Sequence, residues 1–283
     1  MIYLALSILS STGLFILFKI FNKYNINTFQ AIVVNYITAC VCGLIHNDKT
    51  ITVSEIISSN WFIGVIILGF LFISIFNIMA LTAQKNGLSV ASVASKMSVI
   101  IPVVFGVFAY NERIGFQKII GILIALVAVY LTASKPKEDS IETSSLYLPI
   151  LLFFGSGIID TSINYFAPDD KIALFSSLIF GVAFIIGCTI LTYQYIHSKR
   201  KINFKIIPFG VSLGIVNYAS IYFLLKALRI DSLESSSLFT INNVAIVTFT
   251  TLIGLLLFKE YISKTNWIGI LLAIISIVTV TLA

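Results

Sequence analysis

The sequence predicts an all-α integral membrane protein of ten transmembrane helices arranged as two inverted five-helix repeats. Three observations predict this. Of 283 residues, 58% are hydrophobic and only 11% charged, with a mean hydropathy of +1.03. A water-soluble domain carries roughly a quarter charged residues because its surface faces solvent. The hydrophobic residues also fall into long runs, and at ~20 residues per crossing the chain accommodates about ten helices with short loops. Finally, the second half of the chain repeats part of the first.

The runs can be taken in order. Residues 1–18 have no basic stretch before the apolar core and no A-x-A-like site after it, so they read as a retained first helix rather than a leader peptide. Residues 25–45 carry one polar amide in their middle, Asn35. The run 61–81 opens on Trp61, where an interfacial indole belongs, contains Gly64 and Gly69, and holds Asn77 near its end. Residues 87–111 are interrupted by Lys96 and contain Pro102, and 119–134 follow with Gly121. A polar linker, KPKEDSIE at residues 135–142, then sits near mid-chain, with the expected linker taken as 135–145 between repeats at 1–134 and 146–283. The second set is 143–159, 172–196, 206–225, 235–258 and 265–283, the last with Trp267 near its start. β-Barrel strands would be shorter and alternate in polarity, so helices are the better reading.

A shift of 148 residues aligns 89–134 with 237–282 without a gap, pairing Gly106 with Gly254, Glu112 with Glu260 and Gly121 with Gly269. The first and sixth helices align loosely through Tyr3-Leu4/Tyr147-Leu148 and Gly13/Gly157. An odd number of crossings per unit turns the second copy upside down, the arrangement of many secondary transporters with a site near the midplane between the halves. The stretch NIMAL at 77–81, Pro102, Glu112-Arg113-Ile114, Gln117 and Gly121, echoed by YFLLKAL at 222–228, Glu260-Tyr261-Ile262 and Trp267-Ile268-Gly269, resembles the EamA family of the drug/metabolite transporter superfamily. The sequence departs from that pattern at Thr250, where proline is common, and at Asn111 and Lys259. Lys and Arg number 6 on the N-terminal face and 11 on the opposite one. The positive-inside rule therefore makes the opposite face cytoplasmic, whereas the resemblance implies both termini in the cytoplasm.

Polar groups inside apolar runs are costly and by default mark a cavity or pathway. Lys96 lies nine residues past Gly87, roughly 13 Å deep, and Asn77 falls in a similar layer. Asp160 is too far along the normal to pair with Lys96, so Lys226 is its expected partner, with Asn242 and Asn243 in the same layer. Asn35, Asn217, Tyr218 and Tyr222 lie between. Taken singly, each asparagine is as readily a hydrogen-bonding strut between helices; taken as a group, they read as the wall of a hydrated cavity, which the resemblance also implies. Glu112 and Glu260 are expected to cap the helices that follow them.

The net charge of +6 is scattered rather than clustered, which excludes a nucleic-acid surface. Cys40, Cys42 and Cys188 lie in apolar runs with no metal-ligand spacing, His46 and His197 lack companions, and no P-loop is present. No cofactor is implied. The expected partners are a small-molecule substrate and the lipid bilayer, with a monomer as the simplest assembly. The expected activity is alternating-access transport, as export, of amino-acid-like or other small polar or amphipathic solutes across the cell (inner) membrane. A polytopic enzyme acting on lipid-linked substrates is the alternative.

Overall fold

The computed structural model describes residues 2–47, 53–102, 104–105, 115–133, 147–166, 168, 171–198, 204–228 and 235–281. Among these, all regular structure is helical. The helices are α1 (Ile2–Lys23), α2 (Thr28–Ile45), α3 (Val53–Ile57), α4 (Phe62–Lys85), α5 (Leu88–Met97), α6 (Phe116–Ala133), α7 (Tyr147–Phe166), α8 (Ile172–Ser198), α9 (Ile207–Leu228), α10 (Ser235–Leu256) and α11 (Lys264–Thr281). A 3₁₀ turn, Phe204–Ile206, leads into α9. Five helical stretches, Ile2–Lys23, Thr28–Ile45, Phe62–Lys85, Ala173–His197 and Phe204–Leu224, are long and apolar enough to cross a membrane. The shorter apolar stretches Leu88–Pro102, Ile119–Thr132, Tyr147–Ile163, Ile241–Leu256 and Lys264–Thr279 fall in the other runs marked on the sequence. The five-residue α3 lies in a connection the hydropathy pattern leaves unstructured. The expected linker at 135–145 and Glu112 lie outside the described residues.

Local chemistry sets the helix ends. Asn27 caps α2 by accepting a hydrogen bond from the Gln30 N–H at 3.1 Å. Asn25 takes a left-handed φ of 51°, which closes α1 through a 2.8 Å bond from the Ile26 N–H to the Phe21 carbonyl. Ser263 and Asn266 cap α11 reciprocally, the N–H of each donating to the other's side-chain oxygen at 3.2 Å.

The chain forms two compact units, each drawn from both halves of the sequence: residues 1–20, 78–158 and 219–283, and residues 21–77 and 159–218. In the first unit α6 and α11 pack antiparallel. The Ser276 hydroxyl donates to the Gly121 carbonyl at 2.7 Å, and a Cβ on Gly269 would fall 3.0 Å from the Ala128 carbonyl oxygen. Under the 148-residue shift Gly121 becomes Gly269 and Ala128 becomes Ser276, so the two contacts are one contact read in both directions. Asn266 closes the end of α6 by donating to the carbonyls of Leu131 and Thr132 at 3.1 and 2.8 Å. Val93, Met97, Ala125, Ala128, Val247, Ala273 and Ile277 form the core beside this seam.

In the second unit α2 and α8 show the same reciprocity. A Cβ on Gly43 would collide with the Ser177 hydroxyl, and one on Gly187 would fall 2.6 Å from Val33. A shift of 144 residues, the one that pairs Tyr3 with Tyr147, carries Gly43 to Gly187 and Val33 to Ser177. Self-complementary contacts of this kind are what a twofold axis produces. Helix α9 then meets α2 through Gly210 and Gly214, a small-xxx-small pair that lets backbones approach. A Cβ on Gly214 would fall 2.7 Å from the Asn35 carbonyl oxygen.

Candidate functional site

Of the residues singled out on the sequence, Lys96, Tyr222, Lys226, Asn242 and Asn243 belong to the first unit. Asn35, Asn77, Asp160, Asn217 and Tyr218 belong to the second.

In the first unit three helices bring polar groups together. The Ser7 hydroxyl on α1 lies 3.2 Å from both the Asn242 Oδ1 on α10 and the Ser220 carbonyl on α9. Asn242 and Asn243 are buried, at 2% and 7% exposure, so their amides are held inside the bundle rather than turned to its surface. Lys226, exposed near the end of α9, sets its ammonium 5.4 Å from the Tyr222 ring centre and 6.0 Å from that of Tyr3. Tyr3 in turn stacks on Phe223 at 6.3 Å. The cation therefore rests on two negative ring faces, an arrangement worth ~0.5–1 kcal/mol at an exposed position.

Lys96 sits one residue before the end of α5. The α-helical hydrogen-bond ladder is interrupted at Ser98 and Val99, Ser98 itself keeping helical dihedrals (φ −58°, ψ −17°), and helix resumes at residues 100–102. The break has a direct chemical cause. Pro102 has no N–H to offer the Ser98 carbonyl, which instead accepts from the Ile101 N–H at 2.9 Å, a tighter three-residue turn. In the repeat-related position the chain has Thr250 and α10 runs through unbroken. The Thr250 hydroxyl lies 2.7 Å from both the Ile246 carbonyl and the Ser92 Oγ on α5. Since α5 and α10 run antiparallel, with Ser92 at Thr250 and Leu88 3.7 Å from a Cβ on Gly254, the α5 break falls near the level of Asn243. Lys96, half-buried, lies within about one helical turn of that level, about 5 Å. Lys96 and Asn243 thus lie at neighbouring levels within this unit.

In the second unit Asn35 and Asn217 meet. Both are buried, and the Asn217 amide donates to the Asn35 Oδ1 at 3.1 Å while the Asn35 amide donates to the Ile32 carbonyl at 3.4 Å. Here the strut reading of intramembrane asparagines applies directly: they join α9 to α2 beside the Gly210 and Gly214 contact. Tyr218 lies under the end of α2, its ring 5.5 Å from that of His46. Asn77 is half-buried and Asp160 is exposed.

Glu260 lies elsewhere than its sequence position suggests. It was expected to cap the helix that follows, but α11 is capped by Ser263 and Asn266. The Glu260 carboxylate instead reaches the start of α5, accepting from the Leu88 N–H at 3.2 and 3.0 Å, and pairs with Lys19 of α1 at 2.6 Å. Gly87, at a φ of 104°, and Gly254 make room for it: a Cβ on either would fall 2.9 or 2.7 Å from the carboxylate. The sequence signals were present, a glycine just before a helix and a glutamate matched across the repeat, but nothing local joins residues 172 positions apart.

Three comparisons bear on what these features serve. Residues 1–134 match the EamA-like transporter family. A protein of Haemophilus influenzae (strain ATCC 51907 / DSM 11121 / KW20 / Rd), described as an uncharacterized protein, is 28% identical over 280 residues, covering 97% of this chain and 95% of its own. A crystal structure of a protein superposes with a TM-score of 0.60 over 99% of this chain and 96% of that one, at 15% identity, a likeness of fold.

Proposed function

We propose that this chain, a member of the EamA-like transporter family through residues 1–134, is a secondary transporter of the drug/metabolite type. It spans the cell (inner) membrane ten times as two inverted five-helix repeats and exports small polar or amphipathic metabolites, amino-acid-like solutes among them, by alternating access. The observation that carries this reading is the half-buried Lys96 beside the interrupted hydrogen-bond ladder of α5. Discontinuous helices place backbone polar groups and charges at the depth where transporters bind their substrates. A cation at that position attracts an anionic group such as a carboxylate. The reciprocal contacts of Gly121/Ser276 and Gly43/Ser177 support the inverted repeat.

Lys226, Tyr222, Asn242 and Asn243 are further substrate contacts in the first unit, with Asn77, Asp160 and Tyr218 in the second. Asn35 and Asn217 hold the backbone that carries them. With no P-loop in the sequence, energy comes from an ion gradient or from exchange. A polytopic enzyme would need clustered carboxylates or histidines to activate water or hold a metal, and family membership favours transport.

Thermal-shift screening of the purified protein against amino acids, sugars, nucleosides and organophosphates tests the proposal, since a specific ligand stabilises the folded state by mass action. An anionic solute should raise the melting midpoint, and Lys96→Ala should weaken its binding about thirtyfold, the loss of ~2 kcal/mol from one charged contact. Unchanged affinity in Lys96→Ala would remove Lys96 from the site.

A further inference from the structure

The second unit divides its charge by sign along the chain. Its five acidic residues, Asp48, Glu55, Asp160, Asp169 and Asp170, fall in sequence near the end of α2 or just before α8, and the contact of Gly43 with Ser177 puts those two helix ends side by side. The sequence has no Asp or Glu at residues 2–47 or 171–230. The links from α1 to α2 and from α8 to α9, with the helix ends that flank them, therefore carry basic charge alone: Lys23, Lys199, Arg200, Lys201 and Lys205. Residues 199–203 lie outside the described residues; Lys23 and Lys205 are described, and both are exposed.

Packing gathers Lys23 and Lys205 at one end of the unit. The Phe21 ring meets Phe209 edge-on at 5.9 Å, and a Cβ on Gly210 would fall 2.8 Å from the Ala31 carbonyl oxygen, so the end of α1 and the first turn of α2 flank the start of α9. Helix α8 arrives at the same end, antiparallel to α2, with a Cβ on Gly187 falling 2.6 Å from Val33. From that contact α8 continues to Ser198, roughly 16 Å, whereas α2 reaches back only to Thr28, roughly 8 Å. The last turns of α8 therefore overhang α2. The side chains turned outward here include large rings: Tyr24, Tyr195 and Phe204 are 62%, 57% and 76% exposed, while Ile206, in the same 3₁₀ turn as Phe204, is buried. Tyr24 follows Lys23 and Phe204 precedes Lys205, so each exposed cation has an exposed ring as its chain neighbour.

We propose that this end of the second unit is a docking surface for anionic phospholipid, with headgroup phosphates on the ammoniums of Lys23 and Lys205 and the rings of Tyr24, Tyr195 and Phe204 in the headgroup layer. Rings facing water forgo apolar burial, and cations of one sign with no carboxylate among them repel one another. Both costs are relieved where aromatic side chains lie at the bilayer interface and basic ones meet anionic headgroups. The occupant is a lipid rather than a free anion because the surface alternates charge with apolar area, which suits a phosphodiester carrying acyl chains and not a hydrated phosphate ion. The inference goes beyond the transport reading and does not depend on it.

The test is thermal unfolding of the purified full-length protein in detergent micelles doped with phosphatidylglycerol or, at the same mole fraction, with phosphatidylcholine. Phosphatidylglycerol should raise the wild-type midpoint by about 3–6 °C over phosphatidylcholine, the size expected for two lysines at an anionic surface. Lys23→Gln/Lys205→Gln should lose most of that difference. Lys23→Arg/Lys205→Arg, which keeps both charges, and Lys171→Gln, which removes a charge at the start of α8, should retain it. Should the double Gln variant not fold, Lys23→Gln and Lys205→Gln taken singly should each lose part of it. Four results overturn the docking surface: no lipid difference in wild type, an undiminished difference in the Gln variants, an equal loss in Lys171→Gln, or a midpoint raised as much by sodium phosphate over sodium chloride at matched ionic strength. The last would assign the lysines to a free anion. Solute binding at Lys96 is read separately by the solute screen, so a failure here leaves the transport reading standing.

Discussion

At the scale of single residues, burial decides what a polar group inside the bundle does. Asn35 and Asn217 are buried and bonded to one another, so removing Asn217 takes a donor from the Asn35 Oδ1. Asn217→Leu should cost ~1–3 kcal/mol in unfolding free energy, and Asn35→Leu/Asn217→Leu should recover part of that loss, because replacing both removes the Asn35 Oδ1 that the single variant leaves without its Asn217 donor. Denaturation of the three variants in detergent measures this. A double variant no better than the sum of the singles would mean the pair contributes nothing specific. Lys96 was legible in the sequence, since a charge in an apolar run is conspicuous wherever the chain folds. That Asn35 and Asn217 pair, whereas Asn242 bonds Ser7, was not legible: an asparagine reads the same in either case, and its partner is chosen by helices 182 or 235 residues away.

At the scale of elements, glycine placement separates seams from open faces. Gly210 and Gly214 bring α9 against the α2 backbone, and a methyl on Gly214 meets the Asn35 carbonyl and Thr38, neither of which can yield far. Gly214→Ala should lower the melting midpoint by several degrees, a strain of about 1–3 kcal/mol. Gly181 on α8 has only the Cys40 sulfur near, at 3.5 Å, so Gly181→Ala should be neutral or slightly stabilising through helix propensity. Equal effects at the two sites would contradict the packing described. The break in α5 is an element-scale feature with a one-residue cause: Pro102→Ala restores a donor for the Ser98 carbonyl, and should stabilise the fold while weakening binding of any solute that uses Lys96. Melting and solute titration of the same variant read the two effects separately. Aromatic residues show where run-reading stops. Hydropathy treats them as lipid-facing bulk, yet Tyr36, Phe175 and Phe180 are fully buried, with the Tyr36 hydroxyl on the Phe72 carbonyl at 2.8 Å.

At the scale of the whole molecule, the proposed ten crossings place reporters fused at the N-terminus and after Ala283 on the same side of the membrane, because an even number of crossings returns the chain to the face it left. The proposed division into five and five places a reporter within residues 135–142 on the other side. Termini on opposite sides would rule out ten crossings. The sequence by itself determined that this chain is a membrane-embedded helical protein and where its apolar runs lie, because hydropathy is a property of consecutive residues. Only the tertiary structure decided that Glu260 caps α5 rather than α11, that α5 breaks while α10 does not, and that reciprocal glycines make the seams. Those outcomes depend on which groups reach one another across long separations, and in a bundle where nearly every face is apolar, close fit and hydrogen bonding select the partners that hydrophobicity leaves undetermined.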